Sequence, residues 1–118
     1  MAGESMIDKR ELKTGDIVIE ARGNIVGDSV EEFREALHGA IDSPGYLILL
    51  DLEKVSMMNS RAIGVLLLAR KKSLAAGKTI KIDKCGEALT KTFLALRFDS
   101  IFEMPGREKS RDEKLGAR

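Results

Sequence analysis

Two apolar runs that follow one another across a short polar corner limit what this chain can fold into. The first, Tyr46-Leu47-Ile48-Leu49-Leu50-Asp51-Leu52, is apolar without alternation, as a strand covered on both faces is. The second begins after Asn59-Ser60, two good N-cap residues, and extends from Arg61 to about Ala76. Ala62, Ile63, Val65, Leu66, Leu67, Leu68 and Ala69 cover more than one face of that helix. Such a helix must be buried by a sheet and by neighbouring helices. A buried strand feeding a buried helix implies a layered α/β domain. At 118 residues there is room for one such domain and its core, and not for a second.

The flanking segments complete the pattern. Asp16 to Arg22 carries β-branched residues in partial alternation and reads as a strand, with Gly23-Asn24 as a turn. Met6 to Leu12 pairs with it across Lys13-Thr14-Gly15 as a charged edge hairpin. Ser29-Val30-Glu31-Glu32 has the spacing of a capping box, and Val30, Phe33, Leu37 and Ile41 follow at helical spacing. A helix over Ser29 to Ile41 is expected, ended by Ser43-Pro44-Gly45. Arg70-Lys71-Lys72 complements the negative end of the second helix, and Gly77 is placed to cap it. Lys78 to Asp83 alternates as a half-covered strand does. Glu87 to Leu96 reads as a third helix with Leu89, Phe93 and Leu96 facing inward, and a short last strand is expected near Ile101-Phe102. The domain therefore spans residues 1–104. Residues 105–118 form a charged tail, frayed or weakly helical, with Leu115 its only apolar anchor.

Composition excludes several function classes. Lysine and arginine number 20 against 19 acidic residues, so no strong field draws the chain to nucleic acid or an anionic membrane. One cysteine and one histidine cannot close an internal disulfide or build a four-ligand zinc site, which fits a reducing cytoplasm. No apolar run approaches the ~20 residues that span a bilayer, and the N-terminus has no apolar signal core. Enzyme chemistry finds no constellation either. His38 falls beside the apolar stripe of its helix and reads as a surface residue, so no triad forms around it. Gly23 to Gly27 is neither a Walker loop nor a dinucleotide fingerprint. Cys85 reads as a small buried thiol and Arg70-Lys71-Lys72 as a solvated helix end. No cofactor is implied, and the expectation is a docking protein rather than an enzyme.

The corner itself carries a family resemblance. Leu50-Asp51-Leu52, then Ser60, Ile63 and Gly64, fall in register with the signature of the STAS domains, the sulfate transporter and anti-sigma factor antagonist family. In that signature Leu-Asp-Leu closes a strand and Asp-Ser-Ser-Gly-Leu-Gly opens the next helix. The order of elements also resembles the family over about Asp16 to Met104. Three positions depart from the signature: Asn59 stands for the aspartate, Arg61 for the second serine and Ala62 for the glycine. The resemblance implies a single α/β domain, with a mixed central sheet of about four to five strands and helices mainly on one side.

For function, the resemblance to the bacterial regulators implies a cytoplasmic anti-sigma factor antagonist that switches partners. Its partner would be an anti-sigma factor that is also a serine kinase of the histidine-kinase-like ATPase type, with a phosphatase resetting the cycle. Ser60 matches the phosphorylated serine. Asn24, Asn59, Ser60, Arg61 and Ala62 are the expected partner-binding residues. A phosphate on Ser60 would sit at a helix N-terminus, where dipole and free amides favour it, and would disrupt an apposed surface. The alternatives are that Ser60 only caps its helix, and that the domain is a phosphorylation-independent scaffold or accessory subunit, as in a stressosome or transporter assembly.

Overall fold

The computed structural model describes residues 6–105. Four strands, β1 (Ile7–Glu11), β2 (Ile17–Arg22), β3 (Leu47–Lys54) and β4 (Thr79–Cys85), form one sheet in the order β1-β2-β3-β4. β1 pairs antiparallel with β2, whereas β2, β3 and β4 run parallel. The parallel strands need crossovers, supplied by α1 (Asp28–Ile41) and α2 (Ser60–Ala75), and α3 (Glu87–Ala95) follows β4. A 3-10 turn over Phe98–Ser100 ends the series.

Register explains where the core sits. Ile48 lies between Ile17 and Ile80, and Leu50 between Ile19 and Ile82, so one sheet face is a block of aliphatic side chains. Val30, Phe33 and Leu37 of α1, Ala62, Leu66 and Ala69 of α2, and Leu89 and Phe93 of α3 join the same cluster. The other face carries Val18, Leu49 and Lys81 in one row and is only half-buried. β3 is thus covered on one face and half-covered on the other, not buried on both as its unbroken apolar run suggested.

Several local expectations are corrected. α1 is not opened by a Ser29 capping box. Its N-cap is Gly27, with φ 57° and ψ −132°, and Ser29 lies inside the first turn, its hydroxyl donating to the Val26 carbonyl and accepting from the Val26 N–H. α2 is not buried all round, because Leu67, Leu68 and Leu74 face outward. Leu96 is exposed, since α3 ends at Ala95 and the chain turns at Arg97, which has a left-handed φ of 62°. Ile101-Phe102 forms no strand. Pairing is made instead by Glu103, in a single parallel bridge to Lys81. The C-terminus of α2 follows expectation: the Gly77 N–H donates to the Leu74 carbonyl and the Lys78 N–H to Ser73, with Gly77 at φ 77°. That is a Schellman closure, which requires a left-handed residue after the cap. The expected charged tail lies almost wholly outside the described residues.

Candidate functional site

In a parallel sheet each strand hands over to its helix at the same edge, so the β2–α1 and β3–α2 connections meet there. They are joined by hydrogen bonds. The Gly23 N–H donates to the Lys54 carbonyl at 3.0 Å, the Ile25 N–H to Met57 at 2.9 Å and the Asn59 N–H to Ile25 at 3.3 Å. Ile25 and Met58 form a parallel bridge and are both buried, which locks the two loops into one corner. Gly86, at the start of α3, packs on the same edge, where a Cβ would come within 2.8 Å of the Glu53 carbonyl oxygen.

The corner presents the residues singled out from the sequence in different ways. Asn24, Ser60 and Arg61 are exposed and Asn59 is half-buried. Ala62 is fully buried, so its side chain belongs to the core and offers nothing to a partner. Asn59 is the N-cap of α2: its Oδ1 accepts the Ala62 N–H at 2.9 Å. Ser60 is therefore the first residue of the helix rather than its cap. Its hydroxyl makes no hydrogen bond among the described residues, and the N–H groups of Ser60 and Arg61 are the first-turn donors that the cap leaves unclaimed.

Electrostatics at the corner favour an anion. The first turn of α2 contains no acidic residue. Arg61 acts electrostatically on Glu31 of α1, which Arg34 binds as an ion pair, with Arg34 Nε donating at 3.0 Å. That hydrogen bond, reinforced by the charges of Arg34 and Arg61, holds the Glu31 carboxyl below its ordinary value. Sequence reasoning missed Met57, which is 46% exposed beside the corner. A large apolar side chain in a loop signals either core or contact surface, and only the bridge at Met58 shows which of the two methionines turns inward.

The remaining candidates do not gather into a reactive site. His38 is half-buried at the other end of α1, where it approaches Arg34 at 3.4 Å and lines a hollow of about 200 Å³ with Ile41, Asp42 and Lys72. Burial pushes the Cys85 thiol up, against a smaller opposing effect of Thr90, away from a reactive thiolate. Among the described residues no group of three metal-ligating side chains comes together, and no helix is long and apolar enough to cross a membrane.

A mixed four-stranded sheet with three helices, and an exposed serine opening the second of them, defines a STAS-type domain. Residues 9–104 match the family model described as Mlab, STAS domain, and the chain belongs to that family. Among solved structures it is similar to the anti-sigma factor antagonist SpoIIAA in its unphosphorylated form, with a TM-score of 0.71 and 19% identity over 93% of this chain and 96% of that one. It is also similar to the Bacillus cell fate determinant SpoIIAA in the phosphorylated form, with a TM-score of 0.64 and 18% identity over 91% and 97% of the two chains. No curated protein matches. At these identities the structural likeness establishes a shared fold.

Proposed function

We propose that this protein is an anti-sigma factor antagonist that works by partner switching and catalyses no reaction itself. In its unmodified form the corner docks onto a cytoplasmic anti-sigma factor that is also a serine kinase of the histidine-kinase-like ATPase type. Phosphorylation of Ser60 ends that contact and a phosphatase restores it. The observation that carries this reading is the division of labour between Asn59 and Ser60. Because Asn59 Oδ1 already caps α2, the Ser60 hydroxyl is exposed and uncommitted. A phosphoryl group could be added there without opening the helix.

The energetics are sufficient. Phosphoserine adds about −1.5 to −2 charges, which the helix dipole, two free amides and the Arg61 guanidinium would favour in the free domain. Against a docked partner the same charge needs a match. A hundredfold loss of affinity requires about 2.7 kcal/mol, well within what an unmatched dianion at an interface costs. A second reading draws support from Asn59 and Arg61, which replace the aspartate and second serine of the signature: a scaffold or accessory subunit that docks without phosphorylation.

Capture from native lysate with wild type, Ser60→Ala and Ser60→Asp separates the two. Partner switching predicts that wild type and Ser60→Ala retain a kinase-like ATPase, that Ser60→Asp loses it, and that mass spectrometry finds phosphate on Ser60. Equal capture by all three, with no phosphate on Ser60, would establish the constitutive module instead.

A further inference from the structure

The inward side of α2, with Ala62, Leu66, Ala69 and Ser73, is spent on the core. At 100° per residue the opposite side is Ser60, Gly64, Leu67, Leu68, Lys71 and Leu74, all exposed. Leu67 is 39% exposed, Leu68 50% and Leu74 51%. This stripe starts at Ser60 and is therefore continuous with the corner. Two features of it point to what it meets.

The first is Gly64. Glycine is the poorest helix former after proline, and here nothing lies within 4 Å of where its Cβ would be. The packing of this chain gives no reason for a glycine at an open position one turn into the helix. Close approach by another backbone does. The second feature is charge. α2 has no acidic residue, while Arg61, Arg70, Lys71 and Lys72 are all on it. Arg70 is engaged with the Ile101 carbonyl at 3.0 Å and Lys72 lines the hollow beside α1 with His38 and Asp42, but Lys71, on the outward face, forms no ion pair among the described residues.

We infer that the outward face of α2 is the seat for an amphipathic acidic helix of the partner, which crosses α2 at Gly64, lays its apolar stripe on Leu67, Leu68 and Leu74, and sets a carboxylate against Lys71. This rests on the partner-docking reading above and names the chemistry of the partner's contact. A second copy of this chain is disfavoured: antiparallel pairing of two α2 helices through this stripe would bring cation against cation. A leucine-lined helix with flanking acids satisfies both features at once, as helix-on-helix recognition usually does.

The test places a photo-crosslinking p-benzoylphenylalanine at position 68 of the full chain, irradiates it in native lysate and sequences the cross-linked peptide. The expected product is one protein segment with apolar residues at helical spacing and net negative charge. With that protein purified, Lys71→Glu should weaken binding at least tenfold, and the wild-type affinity should fall as salt is raised. Gly64→Ala is the sharper variant, because it should raise the melting temperature of the free domain while weakening binding at least tenfold. Cross-linking to a basic or neutral segment, to lipid, to a second copy or to nothing would overturn the inference, as would unchanged binding by Gly64→Ala. The Ser60→Asp capture is read separately: it decides the switch, and the cross-linked sequence decides the seat.

Discussion

Asn59 and Ser60 are adjacent, both are good capping residues, and the sequence alone does not divide the work between them. The division is set at a distance, where the Ile25–Met58 bridge ends the extended backbone and leaves Asn59 at φ −79° and ψ 176°, the half-extended geometry of a cap. It follows that Asn59→Ala should destabilise the domain by about 1 kcal/mol, read as a lower urea midpoint at constant slope. Ser60→Ala should stay within about 0.5 kcal/mol of wild type, as an exposed uncommitted hydroxyl does. A large loss from Ser60→Ala would give the capping role to Ser60 and remove the freedom on which the proposed phosphorylation depends. The capping box expected at Ser29 fails for a related reason. Gly27 takes a conformation outside the regions open to other residues, so the helix starts one residue earlier and Ser29 turns back to Val26. The signature residues in Leu50-Asp51-Leu52 and Ser60 to Gly64 were legible because a motif fixes identity and order. Ala62 reads two ways in the sequence, as part of the buried helix and as a partner contact, since small residues suit both, and its full burial assigns it to the core.

Elements with strong periodicity were read correctly from sequence: α1 by its Val30, Phe33 and Leu37 stripe, β4 by its alternation, and α2 by the cap and the glycine at its two ends. What sequence overstated was coverage. In β3 and α2 apolar residues continue onto faces that no element covers, because three helices on a four-stranded sheet cannot surround each other. Apolar residues beyond what the core requires are where a surface for another molecule is to be sought. Lys78 shows the opposite case, a charged residue that the fold takes inside. It follows the Schellman closure of α2 and is 8% exposed, its ammonium donating to the Ser43 and Gly45 carbonyls of the α1–β3 connection. The lysine thereby ties the loop before β3 to the loop before β4. Lys78→Met preserves the aliphatic stem but leaves both carbonyls without their charged donor, a loss of roughly 1–3 kcal/mol. Urea unfolding should show this as a lower midpoint with an unchanged slope. No loss would mean that water replaces the ammonium at no cost.

At the scale of the molecule, acid should weaken the fold through carboxyls at opposite ends of it. Asp16 lies at the end away from the Ser60 corner. Its Oδ1 accepts the Leu47 and Tyr46 N–H groups, each at 2.9 Å, and its Oδ2 accepts the Thr14 hydroxyl. The Leu47 bond is the largest cause of its carboxyl being held below the ordinary value of 3.8, followed by Thr14 and Tyr46. Glu31, near the corner, is held below 4.5 chiefly by its hydrogen bond from Arg34. Both groups bind protons less readily folded than unfolded, so the stability they contribute is complete above the unfolded values and is lost as pH falls through the folded ones. The urea midpoint should therefore be level from neutrality down to about pH 5 and decline from there toward pH 2. Asp16→Asn keeps an oxygen acceptor for the two N–H groups but cannot titrate. Its midpoint should be lower than that of wild type at pH 7 and decline less steeply in acid. Arg34→Ala should flatten the acid limb in the same way by freeing Glu31, without touching Asp16. If both variants parallel wild type through the acid range, the decline comes from general charge repulsion rather than from these two carboxyls. The Ser60 corner would then have no acid sensitivity from Glu31, and any pH dependence of the proposed docking would have to be sought in the partner.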